Sequence, residues 1–519
     1  MAISKSDVLL DFISLKILAA VIVVYWIASY CVVWYRLRHI SGPFLAQFSY
    51  FWLIGVSLQG KQAFYNRSVI NKYGSLVRIG PNELLTDDPE VVRRMNAARS
   101  KYGRSTWYHA MRLDPYADSL FTIMDTNAHD KLKAQLSFGY GGKENPNIED
   151  GINLQIQHWA DLIRRKYLST ETEFKPMDFA RLSNYFTLDV ITKVAYGKEF
   201  GYIESESDIY DYIKTLQATV PKLALFGEVP FFCDLLFSQT ALKIIGPKIT
   251  DKTGIGKLMA VAKEVVAERF GSDPKMRQDM LSSFLRHGVL QRQAEAEVLF
   301  QIAAGADTTA TALRSTMLLI LSTPRVYRKL QAEIDSAVSE SRVSAPIKFE
   351  EGKQLKYLQA VISEGMRLSN PITALFLKEV PPDGDTIAGH FVPGGTRLGL
   401  SISSITTNRE IFGADAEVFR PERWLSESLG GTEGNERADA KNTRNLREMA
   451  QAVDMIFGYG RWACSGKPVA YMELNKIFVE LLRNFEFQVV DPLNPVKSWN
   501  HNITFQKDMW VRVTERGAQ

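Results

Sequence analysis

Residues 457–466 read Phe457-Gly458-Tyr459-Gly460-Arg461-Trp462-Ala463-Cys464-Ser465-Gly466, and an apolar helical pattern over Val469–Arg483 follows them. A thiol that lies just before a helix begins faces backbone N–H groups and the positive end of the helix dipole. We therefore expect a lowered pKa for Cys464 and a thiolate, which is a metal ligand. Glycines at 458, 460 and 466 let a flat macrocycle approach the backbone and permit the positive φ angles of a tight loop.

Two other interpretations of this stretch have to be weighed. A lone cysteine is most often a small buried apolar residue, but the flanking glycines and an aromatic residue seven positions earlier favour a ligand at Cys464. Gly458–Ala463 also fits a loose dinucleotide-binding fingerprint. Too little chain follows Val469–Arg483 to supply the strands that such a fold needs, and no strand–helix alternation precedes it.

Composition limits the possible classes. The chain has 519 residues, of which 46% are hydrophobic and 23% charged, so it can bury a large core. Lys plus Arg number 62 and Asp plus Glu 58, so we expect no nucleic acid partner. The three cysteines, Cys31, Cys233 and Cys464, are too few for a disulfide framework, and the seven histidines include no HExxH pair of a zinc hydrolase.

The amino end has the pattern of a membrane anchor. Ile17–Tyr35 contains no charged residue and is nearly long enough to cross a hydrocarbon core of about 30 Å. Arg36 and Arg38 follow it, which favours a cytosolic carboxyl side. A cleaved signal peptide is the alternative, but the apolar run is long for one and has no clear cleavage site. We predict an anchor with its flank at residues 1–40 and one globular domain at residues 41–519.

Hydrophobic periodicity predicts a mainly helical domain with few strands. The predicted helices are Asn153–Leu168, Asp178–Val194, Asp208–Val220, Ile255–Phe270, Ala294–Leu321, Val326–Val338, Leu355–Leu368 and Val469–Arg483. The predicted strands are Leu76–Ile79, Glu83–Thr86, Thr386–Phe391, Thr396–Ser401 and Met509–Val513. The apolar segment Val229–Phe237 is either core or a loop that dips into a bilayer.

Four motifs together resemble the cytochrome P450 monooxygenases over essentially the whole chain. They are the cysteine loop, Ala304-Gly305-Ala306-Asp307-Thr308, Glu364-Gly365-Met366-Arg367 and Phe419-Arg420-Pro421-Glu422-Arg423-Trp424. Arg461-Trp462, together with residues 139–145 and with Trp107-Tyr108 and residues 111–115, resembles filamentous-fungal members similar to pisatin demethylase. The resemblance implies a mainly α fold with a small β part, the cytochrome P450 fold, preceded by one N-terminal transmembrane helix.

The resemblance also implies a cofactor, haem b (iron protoporphyrin IX). Cys464 is then the axial ligand of the iron, since the family binds haem through a cysteine thiolate. The rest of the loop that contacts the haem is Phe457, Gly460, Arg461, Trp462 and Gly466. The positions that bind propionates in the family are occupied here by Trp462, His129, Lys133 and Lys378, which depart from its usual Arg residues.

The motif on the helix Ala294–Leu321 is expected to handle oxygen and protons. Gly305 is expected to leave room above the haem. Thr308 can bond the carbonyl of Ala304, four residues back, and Asp307 can supply protons through water. In the family, the pair Glu364–Arg367 joins Arg423 in a buried network that fixes the cysteine loop.

These roles imply a membrane-anchored monooxygenase that inserts one atom of O₂ into a lipophilic small molecule, by hydroxylation or oxidative O-demethylation. Electrons are expected from NADPH-cytochrome P450 reductase, docked on a basic face of Lys131, Lys133, Arg461 and Lys467. The expected location is the endoplasmic reticulum membrane, with a single pass and a cytosolic catalytic domain. Residues expected to hold substrate are Ile372, Thr373, Ala374 and Phe376, with residues 120–123.

Several functional alternatives remain open at this point. Fungal secondary-metabolite biosynthesis and detoxification of plant phenolics both fit the resemblance. A family member that rearranges hydroperoxides would not need Asp307 and Thr308. A non-catalytic membrane haem protein is a different class, and NADPH-dependent turnover separates it from an enzyme.

Overall fold

A computed structural model of the chain describes Lys16, Val24, Ser29 and residues 31–142, 144–270, 274–425 and 436–517. The helices of the first half are α1 (residues 31–37 of the described chain), α2 (Phe44–Phe48), α3 (Phe51–Gln59), α4 (Gln62–Tyr73), α5 (Pro89–Asn96), α6 (Trp107–Ala110), α7 (Thr126–Tyr140) and α8 (Ile148–Leu162). A π-helical turn over Ile163–Tyr167 continues α8.

The middle of the chain adds a second group of helices. They are α9 (Phe179–Tyr196), α10 (Tyr202–Ser205), α11 (Tyr212–Glu228), α12 (Pro230–Leu236), α13 (Gln239–Ile245), α14 (Gly254–Ala267), α15 (Met280–Arg286) and α16 (Gln291–Leu321). The last group is α17 (Pro324–Ser339), α18 (Phe349–Gly352), α19 (Lys356–Ser369), α20 (Ile402–Ile405), α21 (Arg409–Phe412), α22 (Glu436–Asp454) and α23 (Lys467–Asn484).

The strands form four small sheets. They are β1 (Leu76–Arg78), β2 (Glu83–Thr86), β3 (Gly103–Arg104), β4 (Met177–Asp178), β5 (Lys378–Glu379), β6 (Asp385–Ile387), β7 (His390–Val392), β8 (Arg397–Leu400), β9 (Phe485–Val489), β10 (Lys497–His501), β11 (Ile503–Lys507) and β12 (Trp510–Glu515). The largest sheet has the order β1-β2-β8-β5-β3, in which β2 and β8 run parallel. The others are β4-β12-β9 and the hairpins β6-β7 and β10-β11.

Helix α16 is the centre of the fold. It spans 31 residues and packs against α9, α14 and α19 and against strand β11. Side chains around most of its circumference are buried, and they include polar ones such as Glu297, Asp307 and Arg314. The prediction of a mainly helical domain is therefore confirmed, with a small β part at its edges.

Two predicted elements differ from the structure. The segment Thr386–Phe391 is the hairpin β6-β7 and not one strand, because Ala388 and Gly389 both have positive φ and close a two-residue turn. The helix predicted to end at Val220 continues through Pro221 to Glu228 as α11. Proline removes one N–H, so the Gln217 carbonyl, four residues earlier, loses its helical partner, but the helix continues.

Most of the predicted anchor Ile17–Tyr35 lies outside the described residues. In the part of the chain that the structure describes, no helix has both the length and the apolar character needed to cross a bilayer. The segment Val229–Phe237 forms the short helix α12 and its flanks, with Cys233 buried while Phe231 and Leu235 are exposed. One face of this segment therefore belongs to the core and the other presents apolar side chains outward.

Candidate functional site

The Cys464 loop is held by backbone hydrogen bonds of its own. Two short 3₁₀ turns, Met455–Phe457 and Gly460–Trp462, bring the ends of the loop together. The Cys464 N–H donates to the carbonyl of Phe457 at 2.7 Å. Helix α23 begins at Lys467, so the sulfur lies at the amino end of that helix, where the backbone N–H groups of Gly466 and Lys467 reach it.

The predicted lowering of the Cys464 pKa is wrong as a net direction. Desolvation by neighbouring protein atoms raises the pKa although the residue is exposed, and the two N–H groups together with the charges of Lys133 and Lys467 only oppose that rise. The dipole argument named a real contribution but omitted desolvation, which is larger. A bound metal ion would deprotonate a coordinating thiol outright, so haem iron held at Cys464 would favour the thiolate.

Gly458 and Gly460 are needed by the loop itself. Their φ angles are +75° and +59°, and a β-carbon would lie 2.9 Å from the Trp462 carbonyl oxygen at the first and 2.2 Å from the Asn96 carbonyl oxygen at the second. The expectation that these glycines make room for a macrocycle is therefore replaced by close packing against protein backbone. Gly466, whose φ is ordinary, is in simple contact with the Cys464 sulfur.

Trp462 is surrounded by basic side chains. The Arg104 guanidinium lies 3.9 Å from the Trp462 ring centroid, the Lys378 ammonium lies 4.5 Å from it, and the His129 ring centroid is 4.2 Å away. Cation–π contacts of this kind stabilise but do not neutralise a charge. Burial holds the pKa of His129 at about 4, so this imidazole is neutral.

The basic side chains of this region outnumber their acidic partners. We use the name cation cluster for Arg104, Lys133, Lys378 and Arg461. Asp130, the carboxylate that meets them, is half exposed and lies 3.3 Å from Arg461. Lys378 is buried and donates only to the Met95 carbonyl, and burial with the charges of Arg104 and Arg461 lowers its pKa to about 6.

The cation cluster fits an anionic cofactor such as haem. Buried cations without acids are costly, and the Nε atoms of Arg104 and Arg461 are buried with no hydrogen-bond partner. The two propionates of haem carry the charge and the acceptor oxygens that these donors lack. The donor set therefore fits haem, with Cys464 at the amino end of α23 as the ligand for its iron.

Lys133 has a different role from the predicted one. Its ammonium donates to the carbonyls of Arg461 and Ala463 at 2.6 and 2.8 Å, so it fastens the cysteine loop to α7. Arg104 was not singled out from the sequence, although it donates to the carbonyls of Leu120 and Ile123 and stacks on Trp462. In the sequence it is an isolated basic residue outside the recognised motifs, and such residues are too common to select it.

The motif Ala304–Thr308 on α16 contains two polar side chains, Asp307 and Thr308, and we call this place the polar notch. The Thr308 hydroxyl donates to the Ala304 carbonyl at 2.7 Å, the contact that its spacing predicts. Asp307 is buried with its Oδ2 unpartnered, and burial raises its pKa to about 6 while the charge of Arg314 opposes that rise. Gly305 needs a correction, because a β-carbon there would lie 3.0 Å from Ile191 of α9, so the absent side chain serves helix packing.

Two segments predicted to hold substrate meet in an aromatic group. Phe121 stacks on Phe300 of α16 at 5.0 Å between ring centroids and lies 6.2 Å from Phe376. Trp107 lies 6.1 Å from Phe376. Phe300 precedes Ala304 by one helical turn, so this apolar wall adjoins the polar notch.

The Glu364 network pairs two carboxylates with two buried guanidiniums, because the part-exposed Asp415 also contacts Arg423, at 3.2 Å. The Arg367 guanidinium holds Glu364 through two hydrogen bonds of 2.8 and 2.9 Å, and Arg423 adds a third of 2.8 Å. Trp424 also donates to Glu364, and both arginines donate to carbonyls between residues 406 and 418. Among the hydrogen bonds of the described residues, none joins this network to residues 457–466, so it fixes the segment before α22 and not the cysteine loop directly.

The predicted basic face is smaller than expected. Lys133 and Arg461 are occupied within the loop, and Lys467 pairs with Asp454 at 2.7 Å. Lys131 is exposed, and within the described part of the chain it has no recorded ion pair. A reductase that docks here would contact basic side chains that already have partners, and one lysine, Lys131, without an ion pair among the described residues.

Sequence similarity assigns the chain to a known protein family. The sequence profile of the family described as Cytochrome P450 matches residues 48–508. "Cytochrome P450 monooxygenase ABA1" of Pyricularia oryzae is 48% identical over 505 residues, which cover 96% of each chain. "Cytochrome P450 monooxygenase aba1" of Botryotinia fuckeliana is 44% identical over 482 residues, 92% of each chain, and abl1 of Leptosphaeria maculans is 39% identical over 480 residues, 91% of this chain and 82% of the relative.

A solved structure gives the same fold. "Crystal structure of cytochrome P450DA heme domain" superposes with a TM-score of 0.70 and 17% identity, covering 92% of this chain and 98% of that one. At this identity the likeness concerns the fold alone. The sequence relatives are fungal monooxygenases, and the range matched by the family profile includes the positions of every motif described above.

Proposed function

The chain belongs to the cytochrome P450 family, and on that premise we propose that it inserts one oxygen atom from O₂ into a lipophilic small molecule of fungal secondary metabolism. Electrons come from NADPH through a separate reductase. The oxidoreductase class follows from the relatives, which are monooxygenases. The substrate and its reaction, hydroxylation or oxidative O-demethylation, are the part we propose.

The observation that carries the proposal is the pairing of Cys464 with the cation cluster. The Cys464 sulfur lies at a helix start beside the cation cluster, in which Arg104 and Lys378 are buried without an ion pair among the described residues, and haem b supplies both the metal and the anions that these groups need. When bound, haem provides the redox chemistry that activates O₂. Substrate binding, substrate orientation and proton transfer are then the roles of the protein's own side chains.

Proton handling is proposed for Asp307 and Thr308. Asp307 is buried on α16 with a free Oδ2 and a pKa of about 6, so it can gain and release a proton near neutral pH. The Thr308 hydroxyl is held toward the Ala304 carbonyl, which leaves its oxygen as an acceptor beside the notch. Asp307 thus holds the proton and Thr308 positions the water that carries it.

The apolar wall supports a lipophilic substrate. Phe121, Phe300 and Phe376 form an aromatic surface beside the notch, and Ala374 and Met111 belong to the same apolar cluster. Aromatic side chains contribute large apolar area and favour rigid ring or polyene ligands. We propose that substrate lies against this wall with the oxidised carbon toward Thr308.

Membrane attachment is part of the proposal. Phe44, Phe51 and Leu58 on α2 and α3, with Phe231 and Ile244 on α12 and α13, are each more than half exposed. Exposed apolar side chains concentrated on a few short helices are typical of a surface that enters a lipid interface. Together with the apolar run Ile17–Tyr35 they support a single-pass anchor in the endoplasmic reticulum, with the catalytic domain on the cytosolic side.

Membrane attachment is tested by fractionation. Full-length protein expressed in yeast should stay in the membrane pellet after alkaline carbonate washing, whereas a variant lacking residues 1–40 should be released in part. Recovery of the full-length chain in the carbonate supernatant would contradict the anchor.

Turnover is tested with purified protein, reductase and NADPH under isotopically heavy O₂. Candidate terpenoids, polyketides and plant phenolics are offered, and one heavy oxygen atom per product molecule, or a demethylated product, is expected. Products only among plant phenolics would favour detoxification. Haem-loaded protein that consumes no NADPH with any compound, while a known fungal monooxygenase prepared in parallel turns over, would favour a non-catalytic haem protein.

A further inference from the structure

The side chain of Gln62, at the start of α4, joins three separate segments of the chain. Its Nε2 donates to Glu228 at 2.6 Å and to Asn502 Oδ1 at 3.3 Å. Its Oε1 accepts from the Thr373 hydroxyl at 3.0 Å and from the Asn502 N–H at 2.8 Å. Every hydrogen-bonding position of this buried amide is therefore used, two for each atom.

Asn502 transmits the effect of Gln62 to the proposed substrate wall. It lies in the turn between β10 and β11 with a φ of +60°, and its carbonyl accepts the N–H groups of Thr373 and Ala374 at 2.8 and 2.9 Å. Its side-chain nitrogen lies 3.3 Å from the Met111 sulfur, in the apolar cluster that also contains Phe376. The conformation of Ile372–Phe376 thus depends on Asn502, and that of Asn502 depends on Gln62.

Glu228 ties this arrangement to the end of α11. Its carboxyl is only 1% exposed, and its partners are the Gln62 amide and the Ser57 hydroxyl of α3. Within the described residues it forms no ion pair. Burial raises the pKa of Glu228 to about 8, so the carboxyl is protonated at neutral pH and becomes an unpaired buried charge above that pH.

Other ionisable groups near the end of α11 do not provide that missing charge. Helix α3 carries no ionisable side chain. Burial keeps the tyrosine, the cysteine and the two histidines on α6, α12 and β10 neutral around pH 8, since it raises the pKa of tyrosine and cysteine and lowers that of histidine there. These groups are Tyr108, His109, Cys233 and His501. The other two ionisable side chains on these elements are exposed, namely Asp234 of α12 and Lys497 of β10, which pairs with Asp508 at 2.8 Å.

We propose that Gln62 and Glu228 are positioning residues that hold the substrate-facing segment Ile372–Phe376 in place, and that ionisation of Glu228 loosens this segment. The inference rests on the proposed function, because it assigns the segment to the substrate wall. It predicts that these two residues control how the protein accepts a bulky ligand. It also predicts no effect on haem binding, since neither residue contacts the Cys464 loop.

Two azole probes of different size test the proposal on the haem-loaded full chain. Imidazole and 4-phenylimidazole both ligate haem iron, but only the second reaches the surrounding wall. In Gln62→Leu we expect about tenfold weaker binding of 4-phenylimidazole and less than about twofold change for imidazole, the loss that follows when a buried hydrogen-bond hub is removed. The control Gln59→Leu, at an exposed position three residues earlier, should bind both probes like the wild type.

The pH arm uses Glu228→Gln, which keeps the shape of the carboxyl but cannot ionise. Wild-type affinity for 4-phenylimidazole should fall about tenfold between pH 7 and pH 9.5, whereas the variant should show a flat profile. Identical pH profiles for wild type and Glu228→Gln would overturn the role of Glu228. Equal losses for both azoles in Gln62→Leu would overturn the role of Gln62.

Amide hydrogen exchange gives a readout that needs no azole. Gln62→Leu should speed exchange in peptides covering residues 371–376 and 500–504 and leave α16 unchanged. Exchange raised throughout the protein would mean general destabilisation and would contradict the proposal. If these results hold but reductase and NADPH give no oxygenated product, the proposed function fails and the positioning role stands for a haem protein of another kind.

Discussion

Two buried groups of charged side chains differ in whether their charges balance. Around Glu364, the carboxylates of Glu364 and Asp415 meet the guanidiniums of Arg367 and Arg423, and backbone carbonyls take the remaining donors. Of the four basic side chains in the cation cluster beside Trp462, only Arg461 forms an ion pair within the described residues, with the half-exposed carboxylate of Asp130. A cluster that satisfies itself serves the fold, whereas a cluster that lacks anions is built for a ligand.

The largest expected effect comes from breaking the balanced network. Arg367→Ala leaves Glu364 buried beside a single remaining guanidinium and removes the donors to the Thr406 and Val418 carbonyls. We expect a loss of about 3–5 kcal/mol in stability and failure to incorporate haem. Denaturant unfolding and haem content measure the two effects, and a variant with normal values of both would refute the role of this network.

A substitution in the cation cluster should have the opposite effect on the stability of the protein. Lys378→Met removes a buried amine that has one neutral acceptor and whose charged form burial disfavours, so the haem-free protein should become more stable at pH 7. Haem should dissociate faster by about ten- to a hundredfold, the value of one to two charge-assisted hydrogen bonds. Thermal unfolding of the apoprotein and haem transfer to apomyoglobin test the pair of predictions. Lower stability together with unchanged haem loss would show that this cluster is structural after all.

The pH dependence of the stability of the apoprotein tests the same difference between the two clusters. The pKa of Lys378 is lowered from 10.5 to about 6, so between these values the unfolded chain binds more protons than the folded one. Stability of the apoprotein should therefore rise with pH across that window, and Lys378→Met should reduce the slope. Unfolding midpoints measured from pH 6 to pH 9 decide this, and an unchanged slope would contradict the lowered pKa.

Asp307 is a further buried ionisable group, a carboxyl whose Oδ2 has no hydrogen-bond partner among the described residues. In Thr308→Ala and in Asp307→Asn we expect more hydrogen peroxide per NADPH consumed, because proton supply at the notch is lost. Burial raises the pKa of Asp307 from 3.8 to about 6, so Asp307→Asn should also remove a fall in stability as pH rises through that range. Peroxide assays with purified reductase measure the first effect, and coupling equal to that of the wild type would count against the proton role.

The smallest effect is expected at the protein surface. Lys131 is the exposed lysine of the predicted basic face, and the other three members have partners within the chain. Lys131→Glu should slow reduction by the flavoprotein a few-fold at low ionic strength, and salt should narrow the difference. Stopped-flow reduction at two salt concentrations is sufficient, and a rate independent of both charge and salt would dismiss this docking surface.

Much of the fold could be predicted from periodicity because long apolar helices carry a repeating signal. The core helix α16 was predicted within three residues of its start, and the strand Glu83–Thr86 was predicted with its bounds. Short elements such as β3, β5 and α6 were not predicted, since two to four residues contain no period. The hairpin at Thr386–Phe391 was missed because a positive φ at Ala388 cannot be inferred from an alanine.

Contacts in the site could be predicted where helical spacing fixes them. They could not be predicted where tertiary packing brings distant residues together. The Thr308 bond to Ala304 follows from helical spacing, and the contact of Glu364 with Arg367 does as well. Arg104, 25 residues before His129 in the chain, reaches Trp462 only through the folded structure. The pKa of Cys464 was misjudged for the same reason, since desolvation depends on neighbours that sequence does not place.

The central claim is that the sulfur of Cys464 ligates haem iron, and the spectrum of the reduced, carbon-monoxide-bound protein tests it most directly. The account predicts the red-shifted Soret band of a thiolate-ligated haem in the wild type and its loss in Cys464→Ser. A wild-type protein that reconstitutes without colour, or a serine variant that keeps the shifted band, would contradict it.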